Sequence, residues 1–183
     1  MAESEIDRLS ELASIGAGHA ARAFSQLTGR TITMDPPDAS IGRPPAARES
    51  DTGEEWRSGV IFEFDGCVSA VVGILFRPSM CDAVVRQLLG AGTDEEMPPE
   101  TVESVLMEVG NVLASHVASA IADTLNARLL PSIPTLALDD VEEQLHQLAE
   151  ARGAKRGLRI ECQLMDRAGE LGGLVVMIPV PAD

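Results

Sequence analysis

Two rows of polar side chains carry the residue types most able to do chemistry. Ser104, Glu108 and Asn111 are spaced i, i+4, i+7, which aligns them along one edge of a helix. Asp7, Glu11 and Ser14 repeat that spacing near the N-terminus. A carboxylate one turn from a carboxamide sets a fixed anion beside a group that both donates and accepts hydrogen bonds. Such rows on the outer face of a helix are usually plain solvated surface. Asn is a mediocre helix former, however, and a surface with no other task has no need of it at a central position.

Other candidates carry less. Ile15-Gly-Ala-Gly-His19 superficially resembles a phosphate-binding glycine loop, but it sits within a helical pattern and no strand precedes it. The small residues there are expected to permit close helix packing. Gly16 and Gly18 would otherwise weaken a helix by about 1 kcal/mol each relative to Ala. His19 and His116 have no Cys or second His at zinc spacing and are read as packing or symmetry-related contacts. Ser115 and His116 are helix neighbours that point apart, so they form no hydrolytic pair. Cys67, Cys81 and Cys162 make no CxxC pair and read as buried free thiols.

The elements that would position the polar rows repeat. A shift of 97 residues superposes Asp7 on Ser104, Glu11 on Glu108, Ser14 on Asn111 and Pro37 on Pro134. It yields seven identities over the 31 positions from 7 to 37, among them Leu9 on Leu106 and His19 on His116. Apolar spacing predicts helices over 4–28 and 100–126, with shorter ones over 78–90 and 140–152. Val102, Leu106, Val109, Leu113, Val117 and Ala120 form the stripe of the second long helix that should dock on a sheet. Ser104, Glu108 and Asn111 lie nearly opposite and so face solvent or a partner. Strands are predicted at 31–34, 59–64 and 68–76, with a turn at Asp65-Gly66, and again at 128–136, 157–165 and 172–180. Residues 42–58 read as an exposed mobile loop. The expected architecture is α+β, one domain built from pseudo-repeats 1–97 and 98–183. Each is a helix-strand-hairpin unit, and the two long helices pack on a largely antiparallel sheet.

Composition bounds the function. Acidic residues outnumber basic ones 29 to 14, for a net charge of −15, and Lys155 is the single lysine. Such a chain repels a nucleic-acid backbone. An acidic, lysine-poor surface suits a cytoplasm of very high salt, so a halophilic source is expected. No uninterrupted apolar run approaches a membrane span, and no secretory signal is visible at the N-terminus. The expected location is cytoplasmic, with no membrane insertion.

The pattern Asp or Ser, three residues, Glu, two residues, Asn, then 22 residues and Pro resembles the signature of the CheC, CheX and FliY phosphatases. It stands in full as Ser104, Glu108, Asn111 and Pro134, and with a departure as Asp7, Glu11, Ser14 and Pro37. The stretch from Glu11 to Ala20 also resembles the opening helix of CheC proteins. The resemblance implies a CheC-like fold and a phosphatase acting on the phosphorylated chemotaxis receiver CheY. Asn111 would orient the attacking water, and Glu108 would pair with the receiver's phosphate-site lysine. Ser104 and Asp7 would support docking, while Pro134 and Pro37 would shape the following segments. Ser14 replaces the amide with a shorter hydroxyl, so the site of Glu11 and Ser14 is expected to be weak or silent. The resemblance implies no metal or cofactor in this chain, with Mg²⁺ carried by the receiver. It also leaves open a non-catalytic adaptor that binds the deamidase CheD or a receiver. An unrelated small-molecule enzyme would need convergent polar groups that the sequence does not display.

Overall fold

The computed structural model describes residues 3–41, 54–154 and 157–182. Most of the predicted loop at 42–58 therefore lies outside the described residues. In chain order the elements are α1 (Glu3–Thr28), β1 (Ile32–Met34), β2 (Asp38–Ile41), β3 (Ser58–Gly66), β4 (Ala70–Phe76) and α2 (Pro78–Leu89). These are followed by α3 (Pro99–Leu125), β5 (Leu129–Pro131), β6 (Thr135–Ala137), α4 (Val141–Ala151), β7 (Leu158–Asp166) and β8 (Gly172–Pro179).

The strands form one antiparallel sheet in the order β1-β7-β8-β4-β3-β5, with β2 also pairing β7 and β6 also pairing β3. The central strands β4 and β8 are apolar along nearly their whole length because both faces of the sheet are covered. On one face α1 and α3 lie side by side over Phe62, Phe64, Ile74, Phe76, Ile160 and Leu164. On the other, α4 packs on β3 and β4, burying Val141 and Leu145 with Val71, Leu75 and Trp56. The fold is thus α+β, with two unequal helical layers around one sheet.

The α3 stripe docks as its spacing requires. Leu106, Val109, Leu113, Val117 and Ala120 are buried, and Val102 is half-buried. α3 is long and apolar enough to cross a membrane, yet here this face is occupied by the sheet and by α1. Close approach rests on two glycines. A Cβ on Gly110 would stand 2.5 Å from Cγ2 and 2.6 Å from Cβ of Val60 in β3. One on Gly16 would meet Val117 Cγ1 at 2.8 Å, so α1 and α3 touch almost backbone to side chain. Gly18 has no such role, since only Met34 Sδ lies near, at 3.7 Å.

Several details of geometry recur 97 residues apart. α1 and α3 end on left-handed residues, Gly29 (φ 67°) and Asn126 (φ 47°). After each, a short edge strand breaks and resumes. Asp35 N–H donates to Gln163 O at 2.9 Å, and Ser132 N–H donates to Glu63 O at 2.8 Å. Pro37 and Pro134 close the two breaks, where a residue without an N–H does least harm to the ladder.

Three expectations are corrected. The strand at 128–136 is two three-residue strands separated by 132–134. β2 was not anticipated at all. The hairpin turn lies at 67–69 rather than at Asp65-Gly66, because those two residues stay in the ladder opposite Leu130 and Leu129 of β5.

At the α1–β1 corner, Asp166 Oδ2 accepts from Arg30 Nη2 at 2.5 Å. Its Oδ1 accepts from the N–H groups of Glu170 (2.9 Å) and Leu171 (3.2 Å). Burial pushes this carboxyl up, but the two backbone donors and Arg30 prevail and hold it below its ordinary value. Its stabilising contribution is therefore present above the ordinary carboxylate pKa and is lost as pH falls through it. Asp166→Ala should destabilise by about 1–3 kcal/mol near neutrality. In urea titrations the gap from wild type should shrink below about pH 4. Gly110→Ala gains about 1 kcal/mol of helix propensity. The clash is with Val60 Cβ, not a flexible tip, so overpacking of about 1–3 kcal/mol should win. A lower midpoint at unchanged m-value would show it.

Candidate functional site

The outer edge of α3 presents Ser104, Glu108 and Asn111, all exposed, behind which Leu106, Val109, Gly110 and Leu113 are buried. The buried side fixes the helix, so the three polar side chains stand on a rigid base. The backbone carbonyl of Asn111 accepts from Ser115 Oγ at 2.7 Å. Among the described residues no side-chain hydrogen bond or ion pair engages the Asn111 amide or the Glu108 carboxylate. Both groups are therefore available to something outside this fold.

The neighbouring sheet edge belongs to the same surface. Gly110 sits over Val60, and Val60 is the ladder partner of Leu136 in β6. The break closed by Pro134 thus adjoins the turn of α3 that carries Asn111. Ser132 holds that break in place, with its N–H on Glu63 O and its Oγ accepting from Glu63 N–H at 3.0 Å.

The matching edge of α1 differs. Asp7 and Glu11 are exposed, but Ser14 is half-buried where Asn111 is exposed. One turn further on, half-buried Met34 approaches Gly18. The hydroxyl is both shorter than the amide and set deeper. Pro37, like Pro134, is half-buried.

The remaining candidates do not join either edge. His19 is half-buried and His116 is exposed, so a packing role is overturned for His116. Among the described residues no group of three His, Cys, Asp or Glu could hold a metal ion. The three cysteines are free thiols. Burial, the largest influence on each, pushes Cys81 up to about 11 and Cys162 up to about 12. Cys67 is only half-buried.

With this geometry in hand, similarity to known proteins becomes informative. Residues 5–41, which include Asp7, Glu11, Ser14 and Pro37, match the CheC-like family. The CheY-P phosphatase CheC of Bacillus subtilis (strain 168) is 26% identical over 187 residues, covering 97% of this chain and 88% of that protein. The similarity to that CheC thus runs along nearly the whole chain. Among solved structures, FliY of Thermotoga maritima superposes with a TM-score of 0.68 at 13% identity, over 98% of this chain and 91% of FliY. CheX of Desulfovibrio desulfuricans gives 0.64 at 13% identity, over 92% and 99% of the two chains. The CheX-CheY-BeF3-Mg complex of Borrelia burgdorferi gives 0.61 at 13% identity, over 93% and 97%. At such identities the structural matches establish the fold.

The difference in accessibility between the two edges can be read chemically. In otherwise cysteine-free protein, Asn111→Cys should react with a maleimide at the rate of an exposed thiol. Ser14→Cys should react several-fold more slowly. In the native wild type, Cys81 and Cys162 should stay unmodified until denaturant is added. Equal labelling of the two introduced thiols would remove the distinction between the edges.

Proposed function

We propose that this chain is a protein aspartyl-phosphate phosphatase that acts on a phosphorylated CheY-type receiver. The observation that carries the reading is the exposed, unengaged Asn111 amide one turn from Glu108, on a helix whose other side is locked into the core. The name of the Bacillus subtilis relative, a CheY-P phosphatase, and the CheX-CheY complex support the same partner class.

The chemistry asks little of the catalyst beyond positioning. An aspartyl phosphate is an acyl phosphate with a carboxylate leaving group. Water adds to phosphorus as the bond from phosphorus to the Asp oxygen breaks, giving inorganic phosphate and a free carboxylate. Asn111 accepts a hydrogen bond from the attacking water through its carbonyl and donates through its NH₂, which holds the water in line. Glu108 pairs with the receiver's phosphate-site lysine and sets the docking register. Such a pair gains strength once water leaves the interface. Ser104 and Asp7 flank the docked helices, and Pro134 and Pro37 shape the edge strands beside them. Mg²⁺ is carried by the receiver.

In this reading the chain is one domain of two pseudo-repeats, 1–97 and 98–183, each offering one edge. The α1 edge is impaired because Ser14 is too short and too deep to reach the water directly, while Glu11 and Asp7 still dock.

Phosphate release from a purified phospho-receiver at high salt, with substoichiometric protein, tests the assignment. Asn111→Ala should slow turnover about 10²-fold or more, the usual scale for one well-placed hydrogen-bonding group. Ser14→Ala should stay within about twofold of wild type, and Glu108→Ala should raise the receiver concentration at half-saturation. Activity that survives Asn111→Ala but vanishes with Ser14→Ala would reverse the two sites. Receiver binding without turnover by the wild type would leave an adaptor, with CheD as an alternative partner.

A further inference from the structure

The break between β5 and β6 carries the most exposed large apolar side chain among the described residues. Ile133 is 90% exposed, and Ile41 follows at 63%. A lone surface isoleucine is commonplace, so its position is what distinguishes this one. α3 packs against β5 as well as β3. The break adjoins the turn of α3 that carries Asn111, because Gly110 seats on Val60 and Val60 pairs with Leu136. Ile133 and the Asn111 amide therefore stand on one continuous surface.

The side chain is also held still. Ser132 N–H donates to Glu63 O at 2.8 Å. Ser132 Oγ accepts from Glu63 N–H at 3.0 Å and donates to Ile133 O, also at 3.0 Å. Pro134 confines Ile133 to extended backbone, and β-branching leaves its χ1 few choices. An apolar group fixed in this way loses little freedom when a partner covers it. Ninety-seven residues earlier the position is Pro36, which is exposed but presents no branched chain.

We infer that Ile133 is an apolar anchor for the phosphorylated receiver, covered by that partner while Asn111 reaches the phosphate. The inference rests on the phosphatase reading of the Asn111 edge and names a second contact in the same docked complex. Charge selects the occupant. Glu108, exposed on this surface, calls for a cation, and a partner with a lysine beside an apolar patch satisfies both groups. A second copy of this chain suits the surface poorly, since each copy carries a net charge of −15 and a single lysine. The α1 edge, with Pro36 and Ser14, lacks the anchor as well as the amide.

Binding and turnover should be measured separately, with BeF3-activated receiver for the first and phospho-receiver for the second. Ile133→Asp should weaken binding, and raise the receiver concentration at half-saturation, by about tenfold or more. Its kcat should stay within about twofold of wild type, whereas Asn111→Ala should lower kcat. Ile133→Leu, which restores an apolar chain of equal size, should bind within about threefold of wild type. The melting temperature should not move, because the side chain is exposed. Unchanged binding and half-saturation in Ile133→Asp, beside an active wild type, would overturn the anchor and leave the phosphatase reading standing. Binding that depends on Ile133 without turnover by the wild type would support the anchor and remove the phosphatase. A wild-type dimer that Ile133→Asp splits would assign the side chain to a second copy and overturn the proposal.

Discussion

The seating of α3 on β3, at Gly110 over Val60, is the contact on which the outer surface depends. A side chain at Gly110 would have to displace Val60, so the absence of one sets how closely the helix backbone approaches the sheet. Gly16 does the same between α1 and Val117. With two such contacts, a long helix is held along its inner side, and the residues on its outer side keep a defined direction. In the proposed function a group on that side enters another protein and needs this support, because a misplacement of about 1 Å can forfeit most of a positioning effect.

The doubly covered sheet explains how polar features are distributed. β4 and β8 carry apolar residues on both faces, and the core is split into two layers. Polar groups are pushed to the margins of those layers, outward along α1 and α3 on one side and beside β7 on the other. Where charge is buried it is mostly compensated, as in Arg159 with its two carboxylates and Asp166 with Arg30 and two backbone donors. Arg77 differs in stacking on the Trp56 ring, with the field of Glu54 as its counter-charge.

Positions 97 residues apart resemble each other in backbone detail more than in side-chain chemistry. Helix ends at Gly29 and Asn126, edge-strand anchors at Asp35 and Ser132, and breaks at Pro37 and Pro134 all obey one offset. The polar edges do not share this equivalence, since Ser14 is half-buried and Asn111 exposed. The halves also differ in their extra helices, as α2 follows the hairpin of the first half and α4 precedes that of the second.

The long elements were legible in the sequence because their patterns extend over enough residues to average out exceptions. The 3.6-residue period marked α1, α3 and α4, and β3, β4, β7 and β8 were legible as apolar segments. The direction of Ser104, Glu108 and Asn111 away from the core followed from spacing alone, since a helix maps sequence position onto angle. Strands of three or four residues, such as β1, β2, β5 and β6, exist only through their partners. That is why β2 was missed, and why pairing with β5 moved the turn from Asp65-Gly66 to 67–69. The tertiary structure alone set the depth of Ser14. It also brought Trp56, Arg77 and Arg159 around one cavity, because burial and convergence depend on chain segments about a hundred residues apart, which no local periodicity encodes.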